Sequence, residues 1–356
     1  MPAFKFFAAI LMVLLWTIPS VLAVEMDDLY VAEVLVPVDS ENQLYRGARE
    51  GLMEVLIRVS GTTAVENTQS LRAALANAEN YYYQYSFDST DATVEVEEEE
   101  VPARLLRIHF EPSGIAKLLR DNGFPVWGSN RPTLMVWIAA DDGIGRRLVA
   151  ENDSSELSEA LERQAQRRGL PLLYPLLDLE DESNLSTGAV WGFFLGRIVE
   201  ASRRYDPDSI LTGRVMRRDD DSWSAHWSWR IDQQWVSIDN TSPDVDSLVA
   251  HVVDRMADDL VSRYAIGSSK ARVWMRIDGV EGLTDYVRIS RYISELMPVV
   301  DNQLTEVDGT ELLFQLDIEG QSNQLVEIIE LDKKMALMNP GAVDQQRTLR
   351  YRWVGE

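Results

Sequence analysis

From Leu134 to Ala140 the chain is apolar without interruption, through Met135, Val136, Trp137, Ile138 and Ala139. A strand with no polar alternation is one covered on both faces, as in a sheet flanked by helices. A polar stretch follows in which Asp153 and Glu156 are spaced as a helix start. Leu157 and Leu161 then fall one turn apart, and Gly169 supplies a left-handed stop. Leu170–Leu179 is apolar again, which predicts a second strand ending in carboxylates. Strand, helix and strand in that order are the core of a mixed α/β unit.

The same pattern divides the rest of the chain. In a first domain, 24–122, Leu29–Val38 has strand composition. Leu44, Ala48, Leu52, Val55, Leu56 and Val59 recur at three and four, predicting a helix over 41–60 that Gly61 closes. A second amphipathic piece covers 68–78. The aromatic run Tyr81–Phe87 leads to the acidic run Glu95–Glu100, which reads as a hairpin edge or loop. Arg104–Phe110 is a strand and 111–123 a short helix. The order is β-α-α-β-β-α. The central domain, 123–266, continues past Leu179 with a helical stripe of Val190, Trp191, Phe194, Ile198, Ala201 and Tyr205. Strands follow at 209–215, 222–230 and 233–238, then a helix opened by Ser242 and Pro243, completing a mixed-sheet α/β domain. After a Gly267-Ser268-Ser269 linker, 267–356 reads β-α-β-β-α-β, the ferredoxin-like split order, with Asp308-Gly309 as its hairpin turn. The fold class expected is therefore mixed α+β and α/β.

Residues 1–23 have no place in that scheme. Lys5, the apolar run Phe6–Ile18, Pro19 and the small-residue site Val21-Leu22-Ala23 read as an export signal cleaved near Ala23, with an uncleaved anchor as the competing reading. No later stretch is long and apolar enough to be an integral membrane span, which places the mature chain in the periplasm. Asp and Glu outnumber Lys and Arg by 58 to 34, a formal charge of −24. Such a surface repels phosphate backbones and argues against nucleic-acid binding. The absence of Cys removes disulfides, thiol nucleophiles and lipoprotein anchoring together.

Candidate chemistry is sparse. His109, His226 and His251 are far apart and none has a His partner at helical spacing, so no metal site or catalytic set follows from them. Gly143-Ile144-Gly145 lacks the third glycine of a dinucleotide loop, and no cofactor is expected. Asp178 and Asp181, with Glu180 and Glu182, stand at the end of the second predicted strand. They read as a solvated acidic loop, with cation binding as the functional alternative. Trp223, Trp227 and Trp229 share a parity and so one strand face, read as core beneath a helix rather than a stacking platform. In PVWGSNRP, Trp127, Asn130 and Arg131 stand on a loop between domains. Asn130 would cap a turn and Arg131 would pair with a carboxylate across the interface, or both would grip a partner. Trp191 completes the candidate binding residues, none of them catalytic.

Several motifs together resemble a known family: Val36–Val38 with Leu56–Gly61, Pro125–Pro132, Leu134–Ala139, Arg167–Asp181 and AVWGFF at Ala189–Phe194. They resemble the bacterial envelope family catalogued as domain-of-unknown-function family 2066. The order of elements around YDPDSILTGRV is also similar to the periplasmic α/β domains of TolB and of curli-secretion lipoproteins. These resemblances imply an exported assembly or interaction protein without catalysis, whose partner is another envelope protein. The competing expectation is an envelope hydrolase or glycan-binding protein using the acidic loop.

Overall fold

The computed structural model describes residues 29–38, 42–96, 99–129, 131–143, 145–151, 153–231, 233–265, 270–338 and 348–355. The segment expected to be an export signal, 1–23, lies outside them, as do Asn130 and the 267–269 linker. Among the described residues there are ten α-helices and three sheets, of three, six and five strands, a mixed α+β fold.

The first unit runs β1 (Val31–Pro37), α1 (Gln43–Ser60), α2 (Gln69–Ala76), β2 (Tyr82–Val96), β3 (Glu99–Phe110) and α3 (Pro112–Asp121). Helix α1 ends where predicted, at Gly61 in the left-handed region, and lays Leu52, Val55, Leu56 and Val59 on the sheet. That sheet is ordered β1-β3-β2 and is antiparallel throughout. Of the two expectations for the acidic run, the hairpin edge is what forms: Glu95, Glu99 and Glu100 belong to a long β2–β3 ribbon, in which Glu95 pairs with Glu100 and Val96 with Glu99.

The central unit comprises β4 (Leu134–Asp141), β5 (Arg146–Leu148), α4 (Glu156–Arg168), β6 (Leu172–Leu173), α5 (Leu179–Asn184), α6 (Thr187–Trp191) and α7 (Leu195–Ser202). It continues with β7 (Ser209–Arg217), β8 (Trp223–Ile231), β9 (Gln234–Ser242) and α8 (Val245–Tyr264). Strand β4 is buried on both faces: Ile138 packs toward α4 and α8, Trp137 toward α6 and α7. The tryptophan row of β8 is core. Trp227 and Trp229 are fully buried under α8, and Gly213 on the neighbouring strand makes the room, since a Cβ there would lie 2.4 Å from the Trp227 ring.

Three details differ from expectation for local reasons. The strand over 170–179 shrinks to Leu172–Leu173, paired in parallel with Leu134 and Met135, because Pro171 and Pro175 cannot donate to a ladder. The stripe from Val190 to Tyr205 is two helices, broken at Gly192 and Phe193, where Phe193 has φ +54°. Helix α8 is capped by Asp244, whose carboxylate accepts from the Ser247 N–H at 2.7 Å, so Pro243 precedes the cap instead of following it.

The last unit holds β10 (Lys270–Asp278), α9 (Leu283–Glu295), β11 (Val299–Asp308), β12 (Glu311–Glu319), α10 (Ser322–Asp332), β13 (Met335–Leu337) and β14 (Thr348–Trp353). Its sheet is ordered β11-β12-β10-β14-β13 with β10 and β14 parallel, the split βαβ arrangement with one short strand added at the edge. No helix among the described residues is long and apolar enough to cross a membrane.

Candidate functional site

The loop that carries Trp127 and Arg131 sits where the three units meet. Trp127 is buried, its backbone N–H donates to the Val59 carbonyl at 2.7 Å, and its ring lies where Gly61 leaves space. The Arg131 guanidinium lies 4.1 Å from that ring's centroid. Its five N–H groups are all spent on carbonyls, those of Gly128, Arg168, Gly169, Arg58 and Trp127, at 2.8 to 3.1 Å. The expected carboxylate partner for Arg131 is therefore replaced by backbone. A carbonyl cage suits a cation that must be desolvated, because it supplies partial negative charge without burying a second ion. Burial, and then the like charge of Arg58, pull Arg131 down to about 9, still charged at neutral pH.

Two more buried arginines close the joint. Arg58 donates to the carbonyls of Val31 at 2.7 Å and Gln166 at 3.1 Å and pairs with Glu54. Arg168 bonds the Gly61 carbonyl at 2.6 Å, Asp254 at 2.6 Å and Asp258 at 2.7 Å. The first two units are thus riveted through α1, α4 and α8. On its other side the loop meets the third unit across a cavity of about 190 Å³, between Gly128, Ser129, Tyr264, Tyr292 and Met297.

The acidic loop is solvated at Asp178, Glu180 and Glu182, as expected, but Asp181 is buried and the loop is folded around it. Asp178 caps α5, accepting from the N–H of Glu180 and Asp181, and Arg204 grips both of its oxygens at 2.8 and 2.9 Å. Hydrogen bonding from Arg204, then from the Asp181 N–H, holds the Asp178 carboxyl well below the usual carboxylate range. Asp181 is only 1% exposed. It accepts from Arg204 at 3.0 Å, from the Tyr205 hydroxyl at 2.6 Å and from the Leu177 N–H at 3.0 Å. Burial, then the bond to Asp181, push the Tyr205 hydroxyl up to about 12. Both carboxylates are committed to one arginine, one tyrosine and the backbone.

At the other end of that helical face, the break between α6 and α7 turns AVWGFF into a ledge. Trp191 is half-buried with Arg146 4.0 Å above its ring. Phe194 is exposed beside Arg197 at 5.8 Å, and Phe193 stands over Arg214 at 5.8 Å and His226 at 4.5 Å. Such contacts are worth about 0.5–1 kcal/mol each at exposed sites. Of the candidate binding residues named from the sequence, Trp191 alone lies on this surface. Arg146, Arg214 and Asp239 escaped notice, and His226 was set aside for want of a His partner at helical spacing, because these contacts are made between separate elements and not along a helix. The strand alternation leading into the Asp219–Asp221 turn was the signal that could have paired Arg214 with His226.

Comparison with known proteins adds little chemistry. A family model for a domain of unknown function, DUF8605, matches residues 23–128, which span the first unit and end in the junction loop. This finding corrects the resemblance to family 2066, and no likeness to TolB or curli-secretion proteins accompanies it. Motifs such as LMVWIA are what any doubly covered strand requires, so they carried less family information than their number implied. No curated protein matches. Among solved structures, a Kluyveromyces lactis allophanate hydrolase aligns at 8% identity with a TM-score of 0.15, over 78% of this chain and 66% of that one. The chain thus spans slightly less than two thirds of that hydrolase.

Proposed function

We propose that the chain is an exported, non-catalytic interaction or assembly protein of the bacterial cell envelope, released into the periplasm by cleavage after Ala23. The observation that carries this reading is β2. It is an edge strand of fifteen residues with Tyr83, Tyr85 and Phe87 exposed along it. An edge strand offers unpaired backbone groups to an added strand, and alternate side chains give it specificity. Asp88 and Asp91 follow the aromatics on the same strand and Glu95, Glu99 and Glu100 lie further along the ribbon, so the complementary partner is an extended segment with apolar residues followed by basic ones. A clamped junction supports the same reading, because a scaffold benefits from units that do not move apart. The hydrolase alternative needs two carboxyl groups facing one cleft, and Asp178 and Asp181 are engaged with Arg204 and Tyr205 instead.

The test is a photo-crosslinking residue at Tyr83, with a control at Leu283, which is 77% exposed on α9. Discrete adducts in intact cells are expected from Tyr83 and not from Leu283. Adducts from neither position, or release of sugars from envelope glycan by the purified chain, would overturn the proposal. Amino-terminal sequencing of the periplasmic form checks the cleavage site.

A further inference from the structure

The face of the central sheet beside the ledge carries chemistry that neither the junction nor β2 uses. Strand register places Arg214, His226 and Asp239 in one row across β7, β8 and β9, and Met216, Ser224 and Thr241 in the next. Side chains alternate along a strand, so these six project away from the buried tryptophan row. They line an open pocket of about 320 Å³.

Within it, His226 Nδ1 lies 2.8 Å from Asp239 Oδ1, which fixes the ring and leaves Nε2 as the nitrogen free for a ligand. Phe193 stands edge-on to the imidazole and also faces the Arg214 guanidinium, so one ring walls both groups. Phe193 holds φ +54°, a conformation that costs a bulky residue energy and persists where packing dictates it. Arg214 is half-buried, and none of the carboxylates among the described residues lies within ion-pairing distance of it. Further along the same hairpin, Arg217 and Arg218 do pair, with Asp221 and Asp220.

We propose that this pocket binds a phosphate group, carried by a small solute or by a lipid headgroup. A planar carboxylate is satisfied by one guanidinium fork. Here the donors come from several directions: the Arg214 fork, the His226 Nε2–H when the ring is charged, and the hydroxyls of Ser224 and Thr241. That arrangement suits a tetrahedral group with three strong acceptor oxygens. Asp239 is the carboxylate at the rim, and its charge faces His226. The net charge of −24 does not forbid the site, since interactions beyond about 8 Å are screened at physiological salt and the local donors decide. The inference is independent of docking at β2.

The experiment titrates inorganic phosphate into the full chain and follows the His226 ring signals by NMR and the melting temperature. A saturable shift of His226 and a melting temperature that climbs with phosphate are expected. Arg214→Gln, with an unaltered melt in the absence of phosphate, should weaken binding about tenfold or more, the loss expected when a charged fork is removed. Ser224→Ala with Thr241→Val is the second variant should Arg214→Gln fold poorly, and it too should weaken binding. Sedimentation with phosphatidylcholine vesicles, with and without phosphatidic acid, separates the sources. Arg214-dependent pelleting with phosphatidic acid assigns the headgroup; binding of free phosphate without pelleting assigns a solute. No saturable response to phosphate, or responses unchanged in these variants, would overturn the site.

Discussion

Arginine is used in two opposite ways in this chain. At the junction, Arg58, Arg131 and Arg168 are buried and, Arg168 Nε aside, their donors end on carbonyls or carboxylates of two different units. On the ledge, Arg146, Arg197 and Arg214 lie against aromatic faces. An arginine saturated from within has nothing left to offer a ligand, so its removal reads out in stability. One that is stacked keeps N–H groups for something else, so its removal should read out in binding. Burial alone does not separate the two uses; the fate of the donors does.

The sharpest way to break that contrast is Arg131→Met. It strands five carbonyls around a fully buried side chain, and the expected loss is about 3–5 kcal/mol, by analogy with breaking a buried ionic pair. Urea unfolding followed by tryptophan fluorescence measures it, and a midpoint close to wild type would mean the carbonyl cage is dispensable. Trp137→Ala should cost a similar 3–5 kcal/mol as a cavity in a strand covered on both faces. Together they compare the junction with the core.

The acidic knot comes next. Asp181→Asn should cost about 1–3 kcal/mol, because a buried acceptor of three hydrogen bonds is altered. Asp178→Asn should cost less, and its effect carries a pH signature. The folded carboxyl titrates below its ordinary value, so the stabilisation it supplies is complete above the usual carboxylate range. It is lost as pH falls through the lower folded value. Wild type and Asp178→Asn should therefore differ in urea midpoint at pH 7 and converge as the pH drops below 3.8. A difference that persists unchanged into acid would assign the effect to shape and not to charge.

How much of this was legible beforehand follows from range along the chain. Local signals held: Gly61 and Gly169 end α1 and α4 in left-handed geometry, and the period-two tryptophans mark the buried face of β8. The split order of the last domain also held, because it needs only the sequence of elements and one Asp-Gly turn. What did not show was convergence. Arg58, Arg131 and Arg168 lie far apart in sequence and meet only after two units dock, and His226 finds Asp239 across a strand pair. Asp181 looked solvated because its neighbours are acidic, while the groups that bury it, Arg204 and Tyr205, arrive from beyond α7. The break at Phe193 was hidden by an apolar spacing that fits one helix or two.

The smallest effect is the most discriminating for the ledge. Phe193→Ala and Phe193→Gly both delete the ring that faces Arg214 and His226, so they share any loss of stacking. They differ in backbone alone: glycine occupies φ +54° freely, whereas alanine keeps the strain of a left-handed residue. If the ledge is a presented surface, Phe193→Gly should melt near wild type and Phe193→Ala should be less stable than it by about 1 kcal/mol. If Phe193 is instead a structural plug, both variants should fall together by several times that amount, as large-to-small changes in a core do. Calorimetry on the pair separates the strain from the packing. A common large loss would move Phe193, and with it Arg214, to the junction's side of the contrast: arginines whose work is holding the fold.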